Sequence, residues 1–125
     1  MEVKRINMDG REFAFICDWS WTRNGFAHDV TMMENWRTLA KARLHYINRT
    51  WECWSYQSAI LEAVDEVMTE RAERMERKLK SENGWGKMTA TRRETLRRHL
   101  ELDSEYSTLQ KLYKELKGHY PAWAN

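Results

Sequence analysis

The sequence predicts an α+β fold in which an antiparallel meander of three or four strands is followed by a long helix and two shorter ones. Two observations carry this reading. Apolar residues recur at every second position up to about residue 47, and at every third or fourth position from Trp51 onward. These are the periods of a half-buried strand and of an amphipathic helix. The dipeptides Asp9-Gly10 and Asn24-Gly25 interrupt the first region where the chain must reverse, and both suit the positive φ angles of two-residue hairpin turns.

A short strand over about 2–7 leads through Asp9-Gly10 into a long strand over about 11–23, which returns through Asn24-Gly25 as a strand over about 26–33. A turn at residues 24 and 25 places Trp21 opposite His28, Trp19 opposite Val30 and Cys17 opposite Met32. Alternation then puts Phe13, Phe15, Cys17, Trp19, Trp21, Val30 and Met32 on one face, and Glu12, Asp18, Ser20, Thr22, Asp29 and Thr31 on the other. After a connection through Asn35 and Trp36, residues 39–47 set Ala40, Ala42, Leu44 and Tyr46 against Lys41, Arg43 and His45, the pattern of a strand with one basic face.

The long helix spans about 51–80, with Trp54, Leu61, Val64, Met68, Ala72, Met75 and Leu79 on its apolar stripe. Asn48 or Thr50 suits its start and Gly84 its end. Glu70 with Arg74, Glu73 with Arg77 and Glu76 with Lys80 are acid-first i,i+4 pairs, each contributing about 0.2–0.5 kcal/mol. Thirty helical residues extend roughly 45 Å at about 1.5 Å each, longer than the strands, so the far half needs a second cover. The C-terminal segment supplies it: a helix over about 92–101, opened by a Thr91/Glu94 capping box, and another over about 104–117. A second stripe through Leu102, Tyr106, Leu109, Tyr113 and Leu116 is rotated by about half a turn from Leu96, which requires a break near Asp103, itself a good cap. Gly118 and Pro121 stop the last helix.

At 125 residues, with 42% hydrophobic and 32% charged residues but one proline, the chain reads as a single folded domain over 1–125. No run approaches the roughly 18 consecutive apolar residues of a membrane span. The first six residues lack the apolar core of a secretory signal, and Cys17 and Cys53 have neither metal-type nor disulfide-framework spacing. A cytoplasmic protein without cofactor or structural metal is the expectation.

No Gly-rich phosphate loop, HExxH, CxxC, EF-hand loop or GxSxG elbow occurs, so no common catalytic template is present. His28, His45, His99 and His119 are dispersed and read as surface or packing residues; Cys17 and Cys53 read as small hydrophobes. The carboxylates Glu62, Asp65, Glu66, Glu70, Glu73 and Glu76 alternate with basic residues, the pattern of a solvated helix face. The Trp19/Trp21 stripe reads as sheet-to-helix core in preference to a base-stacking platform.

Two features are left for partners. Seven tryptophans are more than a core of this size encloses, which points to Trp36 and Trp85 as surface anchors. Over residues 84–125, eight Lys and Arg stand against five Asp and Glu, with Arg92, Arg93, Arg97 and Arg98 on successive turns of one helix. That group is either a charged outer face or a phosphate contact.

The stretch Tyr46-Ile47-Asn48-Arg49-Thr50-Trp51-Glu52-Cys53-Trp54-Ser55-Tyr56-Gln57-Ser58 resembles a segment of small, mostly uncharacterised proteins of bacterial phages and mobile elements. The resemblance implies a genomic setting and no particular activity. The expected function is therefore a non-enzymatic protein-interaction module, in this setting an inhibitor of a host defence nuclease in the manner of anti-CRISPR proteins. The partner would be a host protein or a protein–nucleic acid complex. The alternative is a nucleic-acid-binding accessory protein using the four arginines, and self-association through the overhanging helix is a further option.

Overall fold

The computed structural model describes residues 1–46 and 55–118. Four strands, β1 (Glu2–Met8), β2 (Arg11–Thr22), β3 (Gly25–Glu34) and β4 (Arg37–Tyr46), form one antiparallel sheet in chain order, and α1 (Gln57–Asn83), α2 (Ala90–Leu102) and α3 (Ser104–Gly118) follow. The chain is thus the α+β meander with a long and two shorter helices that its side-chain periods predict. Among the described residues, no helix is long and apolar enough to cross a membrane.

Every sheet connection is a two-residue turn, and the second differs from expectation. In the first, Asp9 and Gly10 both have positive φ (52° and 75°), as a type I′ turn requires. The second uses Arg23 and Asn24, with Gly25 already paired to Thr22, so the anticipated Asn24-Gly25 turn does not form. Pairing slides by two residues: Trp21 faces Phe26, Trp19 faces His28, Cys17 faces Val30 and Phe15 faces Met32. A two-residue slide returns every side chain to its original face. The alternation therefore specifies faces and leaves partners open. The observed register brings Phe26 opposite Tyr46 on β4, their rings stacked at 5.1 Å.

The inner face of the sheet is covered by α1 and α3. Phe13, Phe15, Cys17, Val30, Met32 and Ala42 from the strands meet Ala59, Ile60, Leu61, Ala63 and Val64 of α1 and Leu109, Leu112 and Leu116 of α3 in one buried cluster. Trp19 and Trp21 lie on this face but at its uncovered end, 49% and 64% exposed, edge-to-face at 5.2 Å. They are not core, contrary to the reading of the stripe. Cover by a helix, as well as alternation, decides burial.

α1 begins at Gln57, later than the expected residue 51: Ser55 and Tyr56 are not helical, and the Ser55 hydroxyl accepts from the Gln57 amide at 3.1 Å. The caps expected at Asn48 and Thr50, and the stripe position of Trp54, lie outside the described residues, as does Pro121. Gly84 ends α1 in the left-handed region (φ 63°), and the Trp85 amide donates to Lys80 O at 3.0 Å, a glycine C-cap. α2 is capped by Thr89, whose hydroxyl accepts from the Arg92 amide at 3.2 Å. Thr91 is instead inside the first turn and forms no capping box with Glu94. The break at Asp103 is as expected, its carboxylate accepting from the Tyr106 amide at 3.0 Å to cap α3. On α3, Leu112 joins Leu109 and Leu116 in the core, whereas Leu102, at the end of α2 before the break, is 88% exposed. Leu79 and Leu100 are buried apart from the main cluster, where α2 meets the far half of α1.

Four polar contacts fasten α3 to the turns and to α1. The Thr108 hydroxyl donates to Asp9 at 2.7 Å, joined by Lys111 Nζ at 3.2 Å. Arg11 donates through Nε and Nη2 to both oxygens of Glu34 at 2.6 and 2.7 Å and reaches Glu105 at 3.3 Å. Arg71 grips the capping Asp103 bidentately at 2.9 and 2.7 Å. The buried Gln57 amide donates to Leu116 O, tying the start of α1 to the end of α3.

Hydrogen bonds from Arg11 hold the Glu34 carboxyl below the usual carboxylate range, and those from Arg71 do the same for Asp103. A lowered folded-state value stabilises the fold above the unfolded value of about 4 and loses that contribution as pH falls through the folded value. Urea midpoints are therefore expected to fall below about pH 4, and Asp103→Asn should flatten part of that slope. Phe15→Ala, which empties the centre of the core, should cost about 3–5 kcal/mol in the same assay.

Candidate functional site

The turn between β3 and β4 holds the least expected side chain of the fold. Asn35 and Trp36 both have positive φ, 50° and 66°, and Trp36 is 96% exposed. A left-handed conformation costs an L-residue roughly 1–2 kcal/mol because Cβ crowds the backbone. A nearly bare indole adds apolar surface left in water. The turn between β1 and β2 provides the comparison: its second residue, at nearly the same φ, is Gly10, the residue that avoids the crowding.

The indole stands at the end of the outer face of the sheet. That face was expected to be polar, yet β2 and β3 also place Ala14, Ile16 and Met33 on it, beside Val3 of β1. With Trp36, Asn35, Arg5 and Glu12 they line a shallow groove of about 360 Å³. Arg5 and Glu12 pair loosely at 3.6 Å on its rim. The signal for this apolar floor is the recurrence of Ala14, Ile16 and Met33 at second-face positions among polar residues.

The other sequence-predicted residues cluster elsewhere. Trp85, half-buried after α1, has the Arg92 guanidinium 6.0 Å from its ring centroid, and Arg92 also donates to Lys87 O at 2.6 Å. Arg97 donates to both oxygens of Glu94, at 3.0 and 2.5 Å, and pairs with Glu101. Arg98 lies 3.5 Å from Glu94. Hydrogen bonds from Arg97 hold the Glu94 carboxyl below its ordinary value. Arg93 is exposed and forms no ion pair among the described residues. The structure thus joins Trp85 to Arg92 and commits Arg97 and Arg98 to neighbouring carboxylates. α2 packs on α1 and α3, so Trp36, on the outer sheet face, belongs to a different surface.

The remaining candidates have structural roles. His28 is buried among Phe26, Tyr46 and Tyr56, with ring centroids 4.5–5.5 Å away. Cys17 is fully buried, and burial raises its thiol to about 11. Among the described residues, no group of three His, Cys, Asp or Glu side chains is placed to hold a metal ion. Compared with protein families, curated proteins and solved structures, the chain matches none.

A thiol this buried and this weakly acidic has almost no thiolate at neutral pH. In a Cys53→Ser background, Cys17 should react with a disulfide reagent only after unfolding, with a rate that tracks urea concentration through the transition.

Proposed function

We propose that this chain is a non-enzymatic protein-interaction module whose outer sheet face docks a partner protein, with Trp36 as the anchor. The observation that carries the reading is the conformation of Trp36: it holds a strained backbone angle and an exposed indole where the other type I′ turn carries glycine. Folding gains nothing from that arrangement. Binding can, because Trp is enriched among interface hot spots, which sit in well-packed, desolvated pockets. The groove beside it supplies a floor of Val3, Ala14, Ile16 and Met33, and Arg5 and Glu12 supply a polar rim.

The finer form of this reading is a phage or mobile-element inhibitor that blocks a host defence nuclease. It draws on the resemblance of residues 46–58, most of which lie outside the described residues. The nucleic-acid alternative draws on Arg92, Arg93, Arg97 and Arg98. It is the weaker of the two because Glu94 and Glu101 already engage Arg97 and Arg98, which lowers the charge offered to phosphate.

Trp36→Gly separates folding from binding. Relief of roughly 1–2 kcal/mol of strain, set against about 0.5–1 kcal/mol of added unfolded-chain entropy for glycine, should raise stability by about 0.5–1 kcal/mol in urea unfolding. The same variant should lose the proteins that the native chain captures from bacterial lysate, with capture by the native chain resisting nuclease treatment. Capture that is unaffected by Trp36→Gly, that is abolished by nuclease, or that is absent altogether overturns the proposal. Replacing Arg92, Arg93, Arg97 and Arg98 together by Glu should leave capture intact; its loss, together with a steep salt dependence, would favour nucleic acid.

A further inference from the structure

We propose that the outer edge of β4, over residues 37–45, is a second docking site, taking as a fifth strand an extended segment of a partner protein whose charges alternate in sign. β4 is last in the sheet order, and among the described residues no backbone hydrogen bond reaches residues 37–45 from outside the sheet. Its outward N–H and C=O groups are therefore offered for strand addition. The edge is also walled. A groove of about 510 Å³ runs between Leu39, Ala40 and Lys41 on the strand and Asp65, Glu66, Glu70 and Glu73 on the flank of α1.

The charges of this groove are arranged by sign. Glu70 is held by Arg74 at 2.9 Å, but Asp65, Glu66 and Glu73 form no ion pair among the described residues, and the expected Glu73–Arg77 pair is not made. Lys41, Arg43 and His45 occupy the outer face of the strand, in register with Thr31, Asp29 and Ala27, with Lys41 also at the rim of the groove. Arg43 reaches Asp29 at 3.5 Å. A strand laid along β4 sends successive side chains to opposite faces. One set meets the carboxylates of α1 and the other meets the cations of β4. The matching occupant is basic at every second position and acidic between. Charged walls on both sides also penalise an apolar strand, so the same groups that admit this segment reject indiscriminate pairing.

The site is independent of the Trp36 surface, and the test keeps the two apart. A labelled short peptide of alternating Lys and Glu, and an isomer with the same residues in two blocks, are titrated against the full chain by fluorescence anisotropy, with amide exchange followed in parallel. The alternating peptide should bind at least about tenfold more tightly than the block isomer and slow exchange in β4. Glu66→Lys with Glu73→Lys should weaken it by about tenfold or more. Glu82→Lys, one substitution of the same kind on the same helix away from the groove, should not, and neither should Trp36→Gly. Equal binding of the two isomers, no binding of either, or protection that spares β4 overturns the inference.

Discussion

The fold rests on a single apolar contact: the inner face of a four-stranded sheet pressed onto two helices. Phe13, Phe15 and Met32 on one side and Ile60, Val64, Leu109 and Leu112 on the other are fully buried, and neither layer has another place to bury them. A sheet with one bare apolar face and an isolated amphipathic helix are each marginal in water. Their joint burial stabilises both. The polar contacts at Asp9, Arg11 and Asp103 then choose one seating of α3 among those the apolar contact allows: the bidentate Arg71–Asp103 pair has a fixed geometry, and Glu34 holds the Arg11 guanidinium where it reaches Glu105.

The parts of this architecture that were legible in the sequence are those that depend on local rhythm. The change of side-chain period near residue 48 predicts the order and type of every element, and Asp9-Gly10, Gly84 and Asp103 mark three of the boundaries for stereochemical reasons. What local rhythm does not contain is pairing and cover. Cys17 faces Val30 where Met32 was expected, because both alternatives satisfy the same alternation. Trp19 and Trp21 have the pattern of core residues and are exposed, because no helix described in the structure covers that end of the sheet. The candidate site follows the same division. Trp36 was singled out as a surplus aromatic, but its left-handed backbone, which gives it meaning, has no signature in composition. The apolar floor beside it was visible in Ala14, Ile16 and Met33. The pairing of Arg97 and Arg98 with Glu94 and Glu101 was legible as helix spacing and weakens the basic cluster as a site.

The two faces of the sheet have therefore been given different tasks. One is consumed by folding, with large residues against two helices. The other keeps small apolar residues and an exposed indole, at some expense in stability, and its far edge is flanked by charges of opposite sign. On the proposal that this face and this edge dock partners, an apolar anchor would supply affinity and the charge arrangement would reject wrong partners.

The meander has a kinetic corollary. Because three two-residue turns join chain neighbours, the sheet assembles through short loop closures with little entropic penalty. The contacts of Asp9 with Thr108 and Lys111 span 99 and 102 residues and close very long loops. During synthesis from the N-terminus, the strands would emerge and pair long before Leu109 and Leu112 leave the ribosome, and their greasy side would wait for its lid. That interval, ended only by arrival of the last helix, is when this chain is most exposed to aggregation and most in need of a chaperone.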